Sequence, residues 1–264
     1  MPTALSRRLL IGAAAFILAA TQAAAAEPLK IGVSAGPLAD VLKLTNEIAK
    51  KKGIEVRLVE FTDWITPNEA VNSGDLDANF FQHAAFLATQ SAHRGFRLVQ
   101  VDKAGVIVPV GLFSRKIKSL DEIKEGDRVA ISNDTINGGR ALLLLERAGL
   151  IKLKPGIGLR ATPLDVVDNP KRLRFVELDA AQIYRSLDDV TVGMVNLTFL
   201  IPAGGDPRSA LIVDRTVEDQ LVLRFVSRPE NKDDPRLRSY VDVFKSPEVK
   251  SYIEAKLPAF IAAF

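Results

Sequence analysis

The chain has 264 residues, 25% of them charged and 47% hydrophobic, with no cysteine and a formal net charge of +3. Without cysteine, a disulfide, a thiolate metal site, a cysteine nucleophile and a lipid-bearing cysteine are excluded. Lys and Arg alternate with Asp and Glu and form no basic tract with interleaved aromatics, so nucleic acid is not an expected partner.

In chain order, Arg7 and Arg8 precede an apolar run over 9–20, and Ala24, Ala25 and Ala26 lead into Glu27. This pattern predicts an export signal over 1–26, too short to span a bilayer. Its removal takes away two positive charges and leaves an expected periplasmic, soluble protein that is not lipid-anchored. The paired arginines fit either a twin-arginine or a general export route. Residues 27–264 suffice for two modest α/β domains or one large one.

Short apolar runs then alternate with amphipathic stretches. A strand is predicted over 29–33, a helix over 38–51 and a strand over 56–60. Lys50-Lys51-Lys52-Gly53 closes that helix, with cations at its negative end and a glycine for the left-handed cap. Further strands are predicted over 78–81, 98–101, 106–114, 128–132, 174–178 and 191–195. Ser119-Leu120-Asp121-Glu122 reads as a capping box opening a short helix, and 138–148 as a helix stopped by Gly149. Strand, helix and strand in succession indicate parallel βαβ units and an α/β class. The apolar strand near 106–113 and the passage near 195–200 are candidate crossings between two lobes.

Gly32-Val33-Ser34-Ala35-Gly36 fits the G-x-S-x-G of a nucleophile elbow. The histidines are His83 and His93, and hydrolases of that type place their histidine late in the chain. A tight strand-to-helix turn explains the segment better, and a serine hydrolase using Ser34 is the weaker alternative. The ten-residue spacing of the two histidines matches no zinc pattern, and no P-loop or dinucleotide fingerprint is present. No catalytic residue, metal or cofactor is therefore expected.

A binding constellation is easier to find. Asn133-Asp134-Thr135-Ile136-Asn137-Gly138-Gly139-Arg140 follows a strand and opens a helix, so amide donors and a guanidinium could converge on a carboxylate. The same spacing also describes an ordinary N-capped helix with a solvated arginine. Phe61, Trp64, Phe80, Phe81 and Phe86 cluster among Asp63, Asn68, Asn79, Gln82 and His83, a mix that suits either a cleft for a thioether or aliphatic side chain or a hydrophobic core.

These residues carry a resemblance. Phe61-Thr62-Asp63-Trp64 with Pro67-Asn68-Glu69-Ala70, Gly74-Asp75-Leu76-Asp77-Ala78-Asn79 with Phe81-Gln82-His83, and Asn133-Asp134 with Gly139-Arg140 are similar to segments of the methionine-binding lipoproteins of the NlpA and MetQ type. Those proteins are the receptors of methionine ABC importers. Lys118-Ser119-Leu120-Asp121-Glu122, Asn169-Pro170-Lys171 and Ser186-Leu187-Asp188-Asp189 extend the likeness over essentially all of 27–264.

The resemblance implies a two-lobed α/β binding protein of type II-like architecture, each lobe a mostly parallel sheet flanked by helices, with two inter-lobe crossings. Lobe I is expected at 27–109 plus 197–264, and lobe II at 110–196. Trp64, Phe81, His83 and Phe86 fall at the side-chain slot, and Arg140 at the carboxylate-binding arginine with Asn137 beside it. Asn196 falls where the last inter-lobe strand is left, so the Asn196-Leu197-Thr198 sequon reads as hinge and not as glycosylation site. The implied partners are a methionine-like small molecule and a membrane permease, with the protein acting as a monomer. Two departures are informative. Trp64 and Phe86 replace tyrosines, making a drier slot, and Leu223 replaces a ligand-holding asparagine. Losing one hydrogen bond to a charged ligand group costs about 1.5–3 kcal/mol, so a methionine derivative, short peptide or other apolar amino acid is an alternative ligand.

Overall fold

The computed structural model describes residues 27–264; the export signal expected over 1–26 lies outside the described residues. The chain begins with β1 (Leu29–Ser34), α1 (Pro37–Lys50), β2 (Val56–Phe61), α2 (Thr66–Ser73), β3 (Ala78–His83), α3 (Ala84–Arg94) and β4 (Val99–Ile107). It continues through β5 (Val110–Phe113), β6 (Arg128–Ser132), α4 (Thr135–Arg147), β7 (Lys152–Leu153), β8 (Val166–Asp168), β9 (Arg174–Leu178), α5 (Ala180–Ile183), β10 (Val192–Asn196), α6 (Leu197–Leu200) and β11 (Ile212–Val213). Then come β12 (Leu223–Ser227), α7 (Pro235–Phe244), α8 (Pro247–Lys256) and β13 (Ile261–Ala263).

Two main sheets result, ordered β13-β4-β12-β3-β1-β2 and β11-β5-β10-β6-β9. The two-sheet α/β architecture is the expected one, but parallel pairing is confined to part of each sheet. β2, β1 and β3 run parallel, as do β9, β6 and β10. The strands that carry the chain between sheets, β4, β5, β11 and β12, pair antiparallel with their neighbours. The sheets are thus mixed and not mostly parallel, because a chain that returns from the other lobe enters from the opposite end.

The crossings also differ in detail from expectation. The run 106–114 is broken between β4 and β5 at Pro109, which has no amide to donate to a ladder. After β10, residues 197–202 lie against the first sheet's side: Phe199 sits 4.7 Å from the Trp64 ring. Pro202 covers Gly36, where a positive φ of 90° and the proline's proximity leave no room for a Cβ. The chain then returns to add β11 to the second sheet before the final passage over 214–222. Ile212–Val213 therefore belong with Val110–Phe113, not with the lobe that the sequence assigns to 197–264.

One core packs β1, β3 and β12 under α1, α7 and α8, with the Phe80 ring tilted at 4.6 Å from Phe225 and edge-on at 5.1 Å from Phe244. A second core is built by Val129, Ile131, Leu142, Leu145, Val192 and Met194. Among the described residues, no helix is long and apolar enough to cross a membrane.

Candidate functional site

At the junction of the sheets, Trp64, Phe81, His83, Phe86, Asn137, Asn196 and Leu223 line one small cavity together with Gln82 and Thr198. Its volume is about 10 Å³, on the order of one water. Seven of the eight expected site residues are thus gathered at one place; Arg140 is not among its lining residues.

The aromatic wall is positioned by local chemistry. Asp63 Oδ1 accepts from the amides of Ile65 and Thr66, each at 2.7 Å, which turns the chain at Trp64. Behind it, three buried carboxamides tie α2 to β3. Asn68 donates to Gln82 at 2.9 Å, Asn79 donates to Asn68 at 2.9 Å, and Gln82 donates to Asn79 at 3.0 Å. Trp64 then meets Phe86 edge-on at 6.0 Å, and Phe81 meets Phe86 at 6.1 Å. Of the remaining clustered aromatics, Phe80 belongs to the first core and Phe61 packs on a smaller cluster with Val71 and Leu76. Phe80 and Phe61 thus go to hydrophobic clusters while Trp64, Phe81 and Phe86 line the cavity, and the alternation along β3 sorts Phe80 from Phe81.

His83 ends β3 and caps α3: its Nδ1 accepts the Phe86 amide at 3.1 Å. A neutral imidazole that accepts at Nδ1 carries its proton on Nε2, so His83 presents a donor. Burial, helped by the Arg140 charge, pushes its pKa down to about 3. Leu223 is paired with His83 across the β3–β12 ladder, so an apolar side chain stands beside that donor.

α4 starts as the N-capped reading of this segment has it, except that Arg140 is buried and not solvated. Asp134 is its N-cap, accepting from the Asn137 amide at 2.9 Å and from the Asn137 side chain at 3.1 Å. The protein's own carboxylate already occupies the helix start that the sequence offers to a ligand. Asn196 is similarly committed, its Oδ1 accepting from the Thr198 amide at 2.9 Å and hydroxyl at 2.7 Å. That commitment and its burial, with 8% exposure, give the sequon a capping role.

Arg140 is 2% exposed and pairs with Asp214, Nη2 to Oδ2, at 3.3 Å. With Arg147, Thr216 and Asp214 it lines an adjacent cavity of about 360 Å³. Burial pushes the guanidinium pKa down and the Asp214 charge opposes this. Asp214 has no motif around it in Val213-Asp214-Arg215-Thr216, and sequence reasoning misses it. Three buried polar atoms bordering this region have no hydrogen-bond partner among the described residues: Trp64 Nε1, Asn137 Oδ1 and Arg140 Nε. Such atoms are uncommon in folded interiors and mark groups able to bind a polar ligand. Ser34 Oγ is also buried without a partner, but it does not line the slot, and His83 Nδ1 is already engaged. No nucleophile and base pair is formed there.

Comparison with known proteins fits this geometry. The sequence profile of the NlpA lipoprotein family matches residues 29–262. The D-methionine-binding lipoprotein MetQ of Escherichia coli K12 is 44% identical over 224 residues, 84% of this chain and 82% of that protein. Among solved structures, the methionine-binding protein MetQ is 40% identical with a TM-score of 0.86, covering 89% of this chain and 98% of that one. A nutrient-binding protein from Burkholderia cenocepacia bound to methionine is 38% identical with a TM-score of 0.85, over 89% and 100% of the two chains. These relatives are named as binding proteins and not as enzymes. The lipoprotein names of the family and of the E. coli relative overturn the expectation of a periplasmic protein without a lipid anchor. That expectation rests on one attachment residue, cysteine, and the family is a lipoprotein family.

Proposed function

Because the chain belongs to the NlpA lipoprotein family, we propose that it is the substrate-binding component of an ABC importer and captures methionine or a closely related amino acid. The observation that carries this reading is the convergence of Trp64, Phe81 and Phe86 on one slot beside an imidazole donor. A thioether gains contact with ring faces and edges, and burying a methionine side chain contributes about 2 kcal/mol. Arg140 supplies charge for the carboxylate, with the His83 Nε2 proton and Asn137 beside it.

The two sheets act as two lobes, and the passages at 107–110 and 214–222 act as the hinge. A slot of about 10 Å³ cannot admit an amino acid, so the lobes part to load the ligand and close over it, and the closed form docks on the permease. The protein acts as a monomer and carries out no chemistry on the ligand. Residues 1–26 direct export.

Native mass spectrometry of freshly purified protein, followed by calorimetry with L- and D-methionine, tests the reading. A bound mass of methionine and a Kd in the micromolar range or below is the expected result. Binding of neither enantiomer, with a different co-purified mass, overturns the ligand assignment.

A further inference from the structure

Arg140 reaches its position from a helix packed closely against its neighbours. A Cβ on Gly138 would stand 2.6 Å from the Ser132 carbonyl, and one on Gly139 would overlap the Leu159 carbonyl. The backbone of α4 is thereby seated hard against two neighbouring segments, and the remaining freedom at Arg140 is that of its own long side chain. The hydrogen-bonding partner of that side chain among the described residues is Asp214.

Asp214 is itself held from every side. Its amide donates to the Val110 carbonyl at 2.8 Å, at the start of the first crossing. Its Oδ1 accepts from Arg147 Nη2 at 2.7 Å, from the Thr216 hydroxyl at 2.6 Å and from the Thr216 amide at 3.1 Å, while Arg147 Nη1 donates to the same hydroxyl at 2.6 Å. Oδ2 is left for Arg140. Burial would raise the Asp214 carboxyl, but the Thr216 hydrogen bonds and the two arginine charges outweigh it and hold the group below its ordinary range. Asp214 also begins the passage that ends at Leu223, a wall of the slot.

We propose that Asp214 is a positioning residue for ligand recognition: it fixes the Arg140 guanidinium for the ligand's carboxylate and couples that contact to the 214–222 passage between the lobes. Arg147 and Thr216 keep the Asp214 carboxylate satisfied through Oδ1. One Arg140 nitrogen can therefore stay on Oδ2 while the others, including the unpartnered Nε, are free to face the ligand. The inference rests on the reading of Arg140 as the carboxylate partner.

The test compares methionine with methioninamide, which keeps the side chain and ammonium and lacks the carboxylate. Calorimetry on the full mature chain is run for the unsubstituted protein, Asp214→Asn, Asp214→Ala, Arg147→Met and Arg140→Ala. The unsubstituted protein should prefer methionine by at least 100-fold. Asp214→Ala should cut that preference at least tenfold while methioninamide binding changes less than threefold. Asp214→Asn, which keeps an acceptor, and Arg147→Met, which leaves Asp214 in place, should lie between. A purely structural role would weaken both ligands alike, and an unchanged preference in Asp214→Asn and Arg147→Met overturns the inference even if Asp214→Ala does not fold. Loss of preference in Arg140→Ala but in none of the others rejects Asp214 and keeps the ligand reading. Failure of the unsubstituted protein to bind methionine rejects both.

Discussion

The aromatic slot and the charged corner beside it are assembled by opposite routes. Trp64, Phe81, His83 and Phe86 come from one stretch of chain, and each is held by partners close by: an Asp63 turn, a carboxamide triad and a helix cap. The corner joins Arg140 to Asp214, 74 positions apart, and Asp214 is in place only because β11 returns to pair with β5. On the proposed reading, shape recognition sits mainly on elements of the first-sheet lobe. Charge recognition, on that same reading, sits on α4 and the residue that follows β11 in the other lobe, so the two parts of the site meet where the lobes close.

Arg140→Ala separates the two regions most sharply. It removes charge-assisted hydrogen bonds of about 1.5–3 kcal/mol each, so methionine affinity measured by calorimetry should fall by about 100-fold or more. The slot should be left standing, with unchanged Trp64 emission in the ligand-free protein. Affinity within tenfold of the original would place carboxylate recognition elsewhere and dissolve the distinction.

His83 stands on the border, and its protonation should be felt in stability. Its folded pKa is about 3 against an ordinary value of 6.5. Between these values the unfolded chain binds a proton that the folded chain does not. Stability from this group is therefore complete above pH 6.5 and is lost as pH falls, by about 2 kcal/mol at pH 5. Thermal denaturation should show that decline, and His83→Gln should flatten it. An equal slope in the variant would mean that the imidazole is not buried as described. Methionine affinity should stay level between pH 5.5 and 8, because the imidazole is neutral throughout.

The route of assembly also explains what the sequence makes legible. The βαβ order follows from hydrophobic periodicity, a local signal, and the aromatic cluster is visible locally too, whereas the choice of slot residues within it comes from the family resemblance. The return to β11 leaves no such signal: two residues of strand amid short turns carry no period. Asp214 is invisible for the same reason, since its meaning lies in Arg140, Arg147 and Val110, none of them near in sequence. Asp134 is a different case. An aspartate three residues before Asn137 is an ordinary N-cap signature, and the structure starts α4 at Thr135, three residues before the position that periodicity suggests. The segment admits both a cap and free amides for a ligand, and the structure shows the cap.

Leu223→Asn probes the slot from its apolar side. Leu223 is 4% exposed and faces His83 across the ladder, so an asparagine there adds a polar group beside an imidazole donor. If the carboxamide reaches the ligand, methionine should bind about tenfold tighter, the effect of one net hydrogen bond of about 1.4 kcal/mol. If it does not, a buried amide lacks its partners and thermal stability should drop by about 1–3 kcal/mol with no gain in affinity. The second outcome would make Leu223 part of the core it also packs in, and would assign the slot's specificity to the aromatic rings alone.

The smallest effect belongs to Trp64. It is the single tryptophan of the chain, it bridges Phe86 and Phe199, and its buried Nε1 has no partner among the described residues. Trp64→Phe keeps an aromatic face and removes an unsatisfied donor, so two changes of opposite sign should hold the shift in affinity below about fivefold. The informative readout is the emission of the unsubstituted protein. Trp64 also lines a cavity with Ser132, Asn133 and Asp134 of the second-sheet side, so parting of the lobes alters the indole's surroundings even before a ligand touches it. Methionine should shift the emission in the original protein, and Asp214→Ala should show the same end-point shift at higher methionine concentration if slot and corner are joined only through lobe closure. A flat emission titration beside a calorimetric signal would remove Trp64 from the moving wall and place closure on the α4 side of the cleft.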